Sequence, residues 1–367
     1  MGRSVAVVCP KGGVGKTTIA VNLAAALAEK GQRCLLVGID PQCGIVSCFG
    51  KDRFDIDNGL LDFFDPEGDP AAAVQASGTP NLDFITSNVW SREEERELNE
   101  GATHFPERLA EQVARLRSAY DFVILDCPPN LGALTAAALQ AVDHCLVPLQ
   151  AEELAYRALP RLFDGLDEMR RQGRRVPTLL GIVLNLVDPR TRLAADVVAR
   201  VREDYAGQVF TTMIPRSVRL AEVAQRGRPV NQFNRSGLAA GAFIELADEV
   251  LAALAGEQAA GADAGGELHA LAMPIAQAPE VEEERPARLA VVSLAAPGVS
   301  APREPEPELE PDWALEAVAE PEPELERGDE DRLLSLDEIL EDEDDDGRRH
   351  RPSLDDYDGS SDEDYYH

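Results

Sequence analysis

An α/β fold built on a mostly parallel sheet, with helices covering both faces, is the architecture this sequence predicts. Three observations predict it. Short apolar runs alternate with segments of helical period through residues 1–255. A glycine-rich loop joins the first apolar run to the first helical segment. Two aspartates, Asp40 and Asp126, stand just beyond apolar runs, at the carboxyl ends of strands where open sheets of this class bind ligands.

Val5–Cys9 reads as the first strand. Thr17–Lys30 is apolar at helical spacing through Ile19, Leu23, Ala26 and Leu27, and Gly31 stops it. Cys34–Ile39 is the next strand and runs into Asp40-Pro41-Gln42. Leu82–Ile85 is a short strand, Pro106–Leu116 a helix, and Phe122–Leu125 a buried strand ending on Asp126-Cys127-Pro128-Pro129. Leu134–Val142 reads as helix and Cys145–Pro148 as strand. Glu152–Arg171 reads as one long amphipathic helix. Leu179–Leu184 is a strand, Leu193–Tyr205 a helix, Val209–Ile214 a last strand, and Leu238–Leu254 a closing helix.

Charge divides the chain in two. Its net charge is -32, but residues 271–367 hold 31 acidic against 8 basic side chains, which leaves only -9 on residues 1–270. Residues 256–367 turn to Ala and Gly, then to Pro-Glu repeats near Pro305-Glu306 and Pro321-Glu322, then to the acidic run Glu341–Asp346. Such a stretch buries too little apolar area to offset its ordering entropy, so a disordered tail is expected. Within it, Leu333, Leu334, Leu336, Ile339 and Leu340 mark 331–341 as a candidate short docking helix. The six cysteines form no CxxC pair and read as small buried hydrophobes. No leader-like segment and no apolar run of the roughly 20 residues needed to span a bilayer is visible, so a cytoplasmic protein is expected.

The loop reads Lys11-Gly12-Gly13-Val14-Gly15-Lys16-Thr17-Thr18. Glycines that turn backbone N–H groups toward one point, ahead of a helix N-terminus, suit a phosphate. Lys16 would reach the β- and γ-phosphates and Thr17 would hold Mg²⁺. The strict G-x-x-x-x-G-K-[ST] pattern is not met, because Pro10 fills the first glycine position. Asp126 is placed to hold Mg²⁺, directly or through water. Asp40 either orients the attacking water or serves the metal's outer shell. One cation is left over: Lys11, ahead of the glycines, is not needed to cradle a single nucleotide.

Taken in order, KGGVGKTT at 11–18, IDPQ at 39–42, YDFVILDCPP at 120–129, VDPRTRL at 187–193, IPRSVRLAEV at 214–223 and GRPV at 227–230 resemble the ParA/Soj/MinD family of deviant Walker A ATPases. The last two pieces resemble the partition branch. The resemblance implies a P-loop NTPase fold, ATP and Mg²⁺ as ligands, and a homodimer sandwiching two ATP molecules. It places Lys11 on the partner's nucleotide, Lys16 and Thr17 on their own, Asp40 on the attacking water and Asp126 on the metal. It further implies slow ATP hydrolysis, association of the dimer with nonspecific DNA on the nucleoid, and a ParB-like or other cargo-bound activator. The family often carries Asp where this chain has Gly38, a departure expected to alter subunit contacts or to slow switching, and Asn130 stands where serine is common.

Arginines gather late in the domain, and Arg190, Arg216 and Arg219 are the candidates for contact with DNA phosphates. Pro215–Arg219 is expected to be a loop projecting them. A nucleotide-dependent adaptor that recruits partners through its acidic tail is the alternative function. A MinD-like membrane role would call for a basic amphipathic terminus, whereas these carboxylates would be repelled by an anionic surface. No stable membrane association is expected.

Overall fold

The strand that feeds the glycine loop, β1 (Arg3–Val7), has partners on both sides and almost no exposed side chain, which is why its sequence is an apolar run rather than an alternating one. The computed structural model describes residues 2–263 apart from Cys43, Arg53, Asp55, Pro66 and Glu67. After β1 come α1 (Lys16–Glu29), β2 (Cys34–Gly38), β3 (Gln75–Thr79), β4 (Leu82–Ile85), α2 (Arg92–His104), α3 (Pro106–Leu116), β5 (Phe122–Asp126), α4 (Ala133–Ala141) and β6 (His144–Gln150). Then follow α5 (Glu153–Tyr156), α6 (Leu159–Arg171), β7 (Thr178–Val187), α7 (Arg192–Asp204), β8 (Val209–Pro215), α8 (Val218–Arg226), α9 (Val230–Phe233) and α10 (Leu238–Asp263).

The strands form one eight-stranded sheet in the order β3-β4-β2-β5-β1-β6-β7-β8. Every pairing is parallel except β3 with β4. Alternate residues of the central strands feed two cores. Ala6, Leu35, Val37, Val123, Leu125 and Val147 pack on one face with α2, α3, α4 and α6. Val5, Val7, Leu36, Ile124 and Leu146 pack on the other with α1 and α10. The expected mostly parallel, doubly covered sheet is therefore what forms. The chain crosses from one side of β1 to the other between β5 and β6, and that reversal opens a crevice at the carboxyl ends of β1 and β5.

Several local expectations change. Glu152–Arg171 is two helices, α5 and α6, because Pro160 in the first turn of α6 cannot continue a helix from before it. β3 is a polar edge strand turned onto β4 through Pro80 and Asn81, the latter at φ 62°. α2 escapes a hydrophobic-pattern reading because it buries only Leu98 and Ala102. Its signature was a capping box. Ser91 Oγ accepts from the Glu94 amide at 3.2 Å, and Glu94 accepts from the Ser91 amide at 2.8 Å. Arg219 lies in the first turn of α8, which Ser217 caps, and not on a loop. α10 continues past Gly256 to Asp263. The tail beyond it, including 331–341, lies outside the described residues. So does Cys43, while the other five cysteines are buried and free.

Candidate functional site

The phosphate loop is assembled at the carboxyl end of β1 by backbone that only glycine adopts readily. Gly13 and Gly15 have φ of 76° and 86°, and Gly15 precedes the first turn of α1. A side chain at Gly15 would also collide with Asn185, whose Nδ2 would sit 2.4 Å from the added Cβ. Asn185 is fully buried on β7 and donates to the Val14 carbonyl at 2.7 Å. It locks the crest of the loop from a strand 171 residues away. The sequence reading missed this residue, although a lone amide inside the apolar run Leu179–Val187 was a visible signal.

Lys16 is 7% exposed and donates to the Lys11 carbonyl at 3.1 Å, so its ammonium lies folded back inside the loop. Thr17 Oγ1 donates to Asp126 Oδ2 at 2.7 Å. Asp126 is buried, and its Oδ1 has no hydrogen-bond partner among the described residues. Burial, with the Asp40 charge adding, pushes its carboxyl up to about 7, against the opposing Thr17 hydrogen bond and Lys16 charge. A buried carboxylate with an orphan oxygen beside a threonine hydroxyl is a hard oxygen donor set, and it fits Mg²⁺.

Asp40 lies beside β2 and accepts from the Gln42 amide at 3.0 Å. The segment beyond it returns over the loop, where a Cβ at Gly44 would be 3.7 Å from Thr17 Cγ2. Gly38 is buried in β2, and an added Cβ would meet Ile45 Cδ1 at 2.9 Å. The space a longer residue would take is filled by Ile45. Within the chain, the departure at Gly38 is one of packing against Ile45.

Lys11 does not join Lys16. Its Nζ is 3.5 Å from Glu152, which follows β6, and Arg216 approaches the same carboxylate at 3.9 Å. Glu152 is a second residue the sequence reading did not single out. Arg190 pairs with Asp188 at 2.8 Å, and these contacts hold the Asp188 carboxyl down at about 2, with the nearby Arg216 charge adding. Arg219 pairs with Glu222 at 2.9 Å. Arg190 and Arg216 thus share one edge, at the carboxyl ends of β7 and β8, and all three candidate arginines face carboxylates of this same chain.

A family model described as an AAA domain matches residues 2–177. The chain is 34% identical over 252 residues to the sporulation initiation inhibitor protein Soj of Bacillus subtilis, covering 69% of this chain and 99% of the relative. The chain belongs to the ParA/Soj/MinD family of P-loop ATPases. A second member, the chromosome partitioning protein ParA of Caulobacter vibrioides, is 34% identical over 250 residues, covering 68% of this chain and 94% of its own length. Among solved structures, the chain is similar to a cobyrinic acid a,c-diamide synthase of Mycobacterium smegmatis with bound ATP analogue and magnesium. That match has 29% identity and a TM-score of 0.58, over 68% of this chain and 95% of the other.

Proposed function

We propose that this protein is an ATP-driven switch that positions or segregates a large cargo. Two copies enclose ATP face to face, the paired form holds DNA through phosphate contacts, and a cargo-bound partner of the ParB kind stimulates hydrolysis and release. The observation that carries this reading is the placement of the two lysines. Lys16 is folded into its own loop, whereas Lys11 is turned out toward Glu152 at 3.5 Å, where a short swing frees it for a neighbour's phosphates. Three large apolar side chains surround the same edge. Leu154, Leu193 and Val218 follow the carboxyl ends of the adjacent strands β6, β7 and β8 and are 72%, 62% and 74% exposed. Such a patch beside a charged centre suits a second copy. The names of the relatives, a sporulation inhibitor and a chromosome partitioning protein, support a positioning role.

In the proposed chemistry Lys16 holds the β- and γ-phosphates of ATP, and the N–H groups of Gly13–Thr18 cradle them. Thr17 and Asp126 would hold Mg²⁺, which neutralises charge on the phosphate oxygens when bound. Asp40 orients the attacking water, and Lys11 from the partner adds positive charge where it develops on the transferring phosphoryl group. Positioning and charge do most of the work, so hydrolysis waits on the partner subunit. Arg190, Arg216 and Arg219 contact DNA phosphates once released from their own carboxylates, and pairing two copies doubles the contacts.

Light-scattering mass of the full chain with ATP and Mg²⁺ tests this. Asp40→Ala, blocked in hydrolysis, is expected to run as a dimer. Lys11→Ala is expected to stay monomeric while still binding a fluorescent ATP analogue. A monomeric Asp40→Ala protein at saturating ATP overturns the proposal.

A further inference from the structure

Two glycines far apart in the chain meet backbone to backbone. Gly50 ends the 3₁₀ turn Ser47–Phe49 with φ 63°, and Gly227 ends α8 with φ 63°. A Cβ built on Gly227 would come within 2.5 Å of Gly50 Cα, and one built on Gly50 would lie 3.3 Å from the Gly227 carbonyl oxygen. A positive φ at a helix end accounts for glycine at either position alone. It does not account for the two backbones being brought together. With only main chain at the contact, no change of rotamer absorbs a shift of one segment against the other.

The segment on the Gly50 side begins at the nucleotide pocket. The Ile39 amide donates to the Asp126 carbonyl at 2.9 Å, Asp40 follows, and Gly44 passes over Thr17. Ile45, Cys48 and Phe49 are buried, and the Phe49 ring stacks on Phe84 of β4 at 4.8 Å between centroids. α8 packs into the same core, because Leu220 and Val223, the two residues it buries, cluster with Ile45, Cys48 and Phe49. α8 has nine residues, a length of about 13 Å. Its far end is the arginine edge. Arg216 precedes the Ser217 cap, and Arg219 stands in the first turn. One short helix thus bears at its last turn on the segment that carries Asp40 and holds at its first turn two of the arginines assigned to DNA.

We propose that α8 is a strut that couples the nucleotide pocket to the arginine edge inside one subunit. Nucleotide phosphates that engage Asp40 and Thr17 shift the segment 44–50. The contact of Gly50 with Gly227 passes that shift to α8, whose first turn then presents Arg216 and Arg219 differently to a polyanion. Linkage makes the effect reciprocal, so a polyanion held at the first turn alters nucleotide affinity by the same factor. The inference deepens the switch reading given above and rests on it only for the identity of the polyanion. Pairing of two copies multiplies the contacts, whereas the strut sets what each copy offers before it pairs.

The experiment reads amide hydrogen exchange by mass spectrometry, which reports local opening segment by segment. It uses the full chain carrying Lys11→Ala, at a dilution where light scattering gives monomer, with and without a saturating non-hydrolysable ATP analogue and Mg²⁺. The analogue is expected to change the exchange rate of α8 amides by about fivefold or more, the lower end of ordinary coupling between sites. Gly227→Ala, which forces the two backbones apart, is expected to abolish the α8 response while the analogue still binds. Gly173→Ala is the control and is expected to keep the response, since Gly173 has φ 71° with nothing within 4 Å of an added Cβ. It carries the same backbone strain without the contact. Thermal midpoints establish that the variants fold, and Gly50→Ala, with its longer approach of 3.3 Å, takes the place of Gly227→Ala should that chain not fold. An α8 that does not respond to bound analogue overturns the proposal. So does a response of equal size in Gly227→Ala and Gly173→Ala. Neither result bears on the dimer, which the mass of Asp40→Ala with ATP decides separately.

Discussion

The phosphate loop and the arginine edge lie at the same end of the sheet but are built in opposite ways. In the loop, Lys16 is buried, and two contacts reach in from distant parts of the chain: Asn185 to the Val14 carbonyl and the buried Asp126 to Thr17. On the edge, Arg190, Arg216 and Arg219 are exposed and face Asp188, Glu152 and Glu222 in turn. Burial makes the first set expensive to disturb, because an orphaned group cannot turn to water. Exposure makes the second set exchangeable, since surface ion pairs contribute little and screen readily. A rigid cradle beside a loosely tethered cationic edge is the arrangement on which the proposed switch rests.

The largest effect that would sharpen this contrast is expected from Lys16→Ala. Losing the loop's own cation should lower steady-state phosphate release by roughly 10²-fold or more, with a matching loss of fluorescent-nucleotide binding. Next is the pH response of Asp126. Its carboxyl is raised in the fold to about 7, so the folded state favours the protonated form. Stability is then fully present below the carboxyl's unfolded value near 4 and is lost as pH rises through about 7. In EDTA, the thermal midpoint should fall across that window, and Asp126→Asn should flatten the fall. An unchanged slope would mean that the carboxyl is ionised and compensated in the fold.

Asn185→Ala comes third. It removes the donor to Val14 and opens the space against Gly15, with an expected cost of about 1–3 kcal/mol read from urea unfolding, and with weaker nucleotide binding. The smallest effect belongs to the edge. Arg190→Ala should change stability by no more than about 0.5 kcal/mol. It should leave nucleotide binding intact and reduce the slope of log DNA affinity against log salt by about 1. A stability loss at Arg190 comparable to that at Asn185 would erase the distinction between the two regions.

How much was legible in advance follows the same division. The loop and its aspartates were readable because glycines at positive φ, a lysine and a carboxylate at a strand end are local requirements written at fixed spacing. The parallel sheet was readable because strands covered on both faces must be apolar throughout. α2 and β3 were passed over because neither buries enough to leave a period, and the α2 capping box was a polar signal among hydrophobic ones. The break between α5 and α6 was present in Pro160 and was outweighed by the amphipathic pattern on either side.

The sequence alone determined which residues can turn the loop, which strands are central and where the charge lies, since each depends on a residue's own geometry or on its near neighbours. Only the tertiary structure decided that Asn185 props the loop and that Glu152 draws Lys11 away from Lys16. These are contacts between segments distant in the chain. Their existence depends on how strands are ordered in the sheet, which no local spacing encodes.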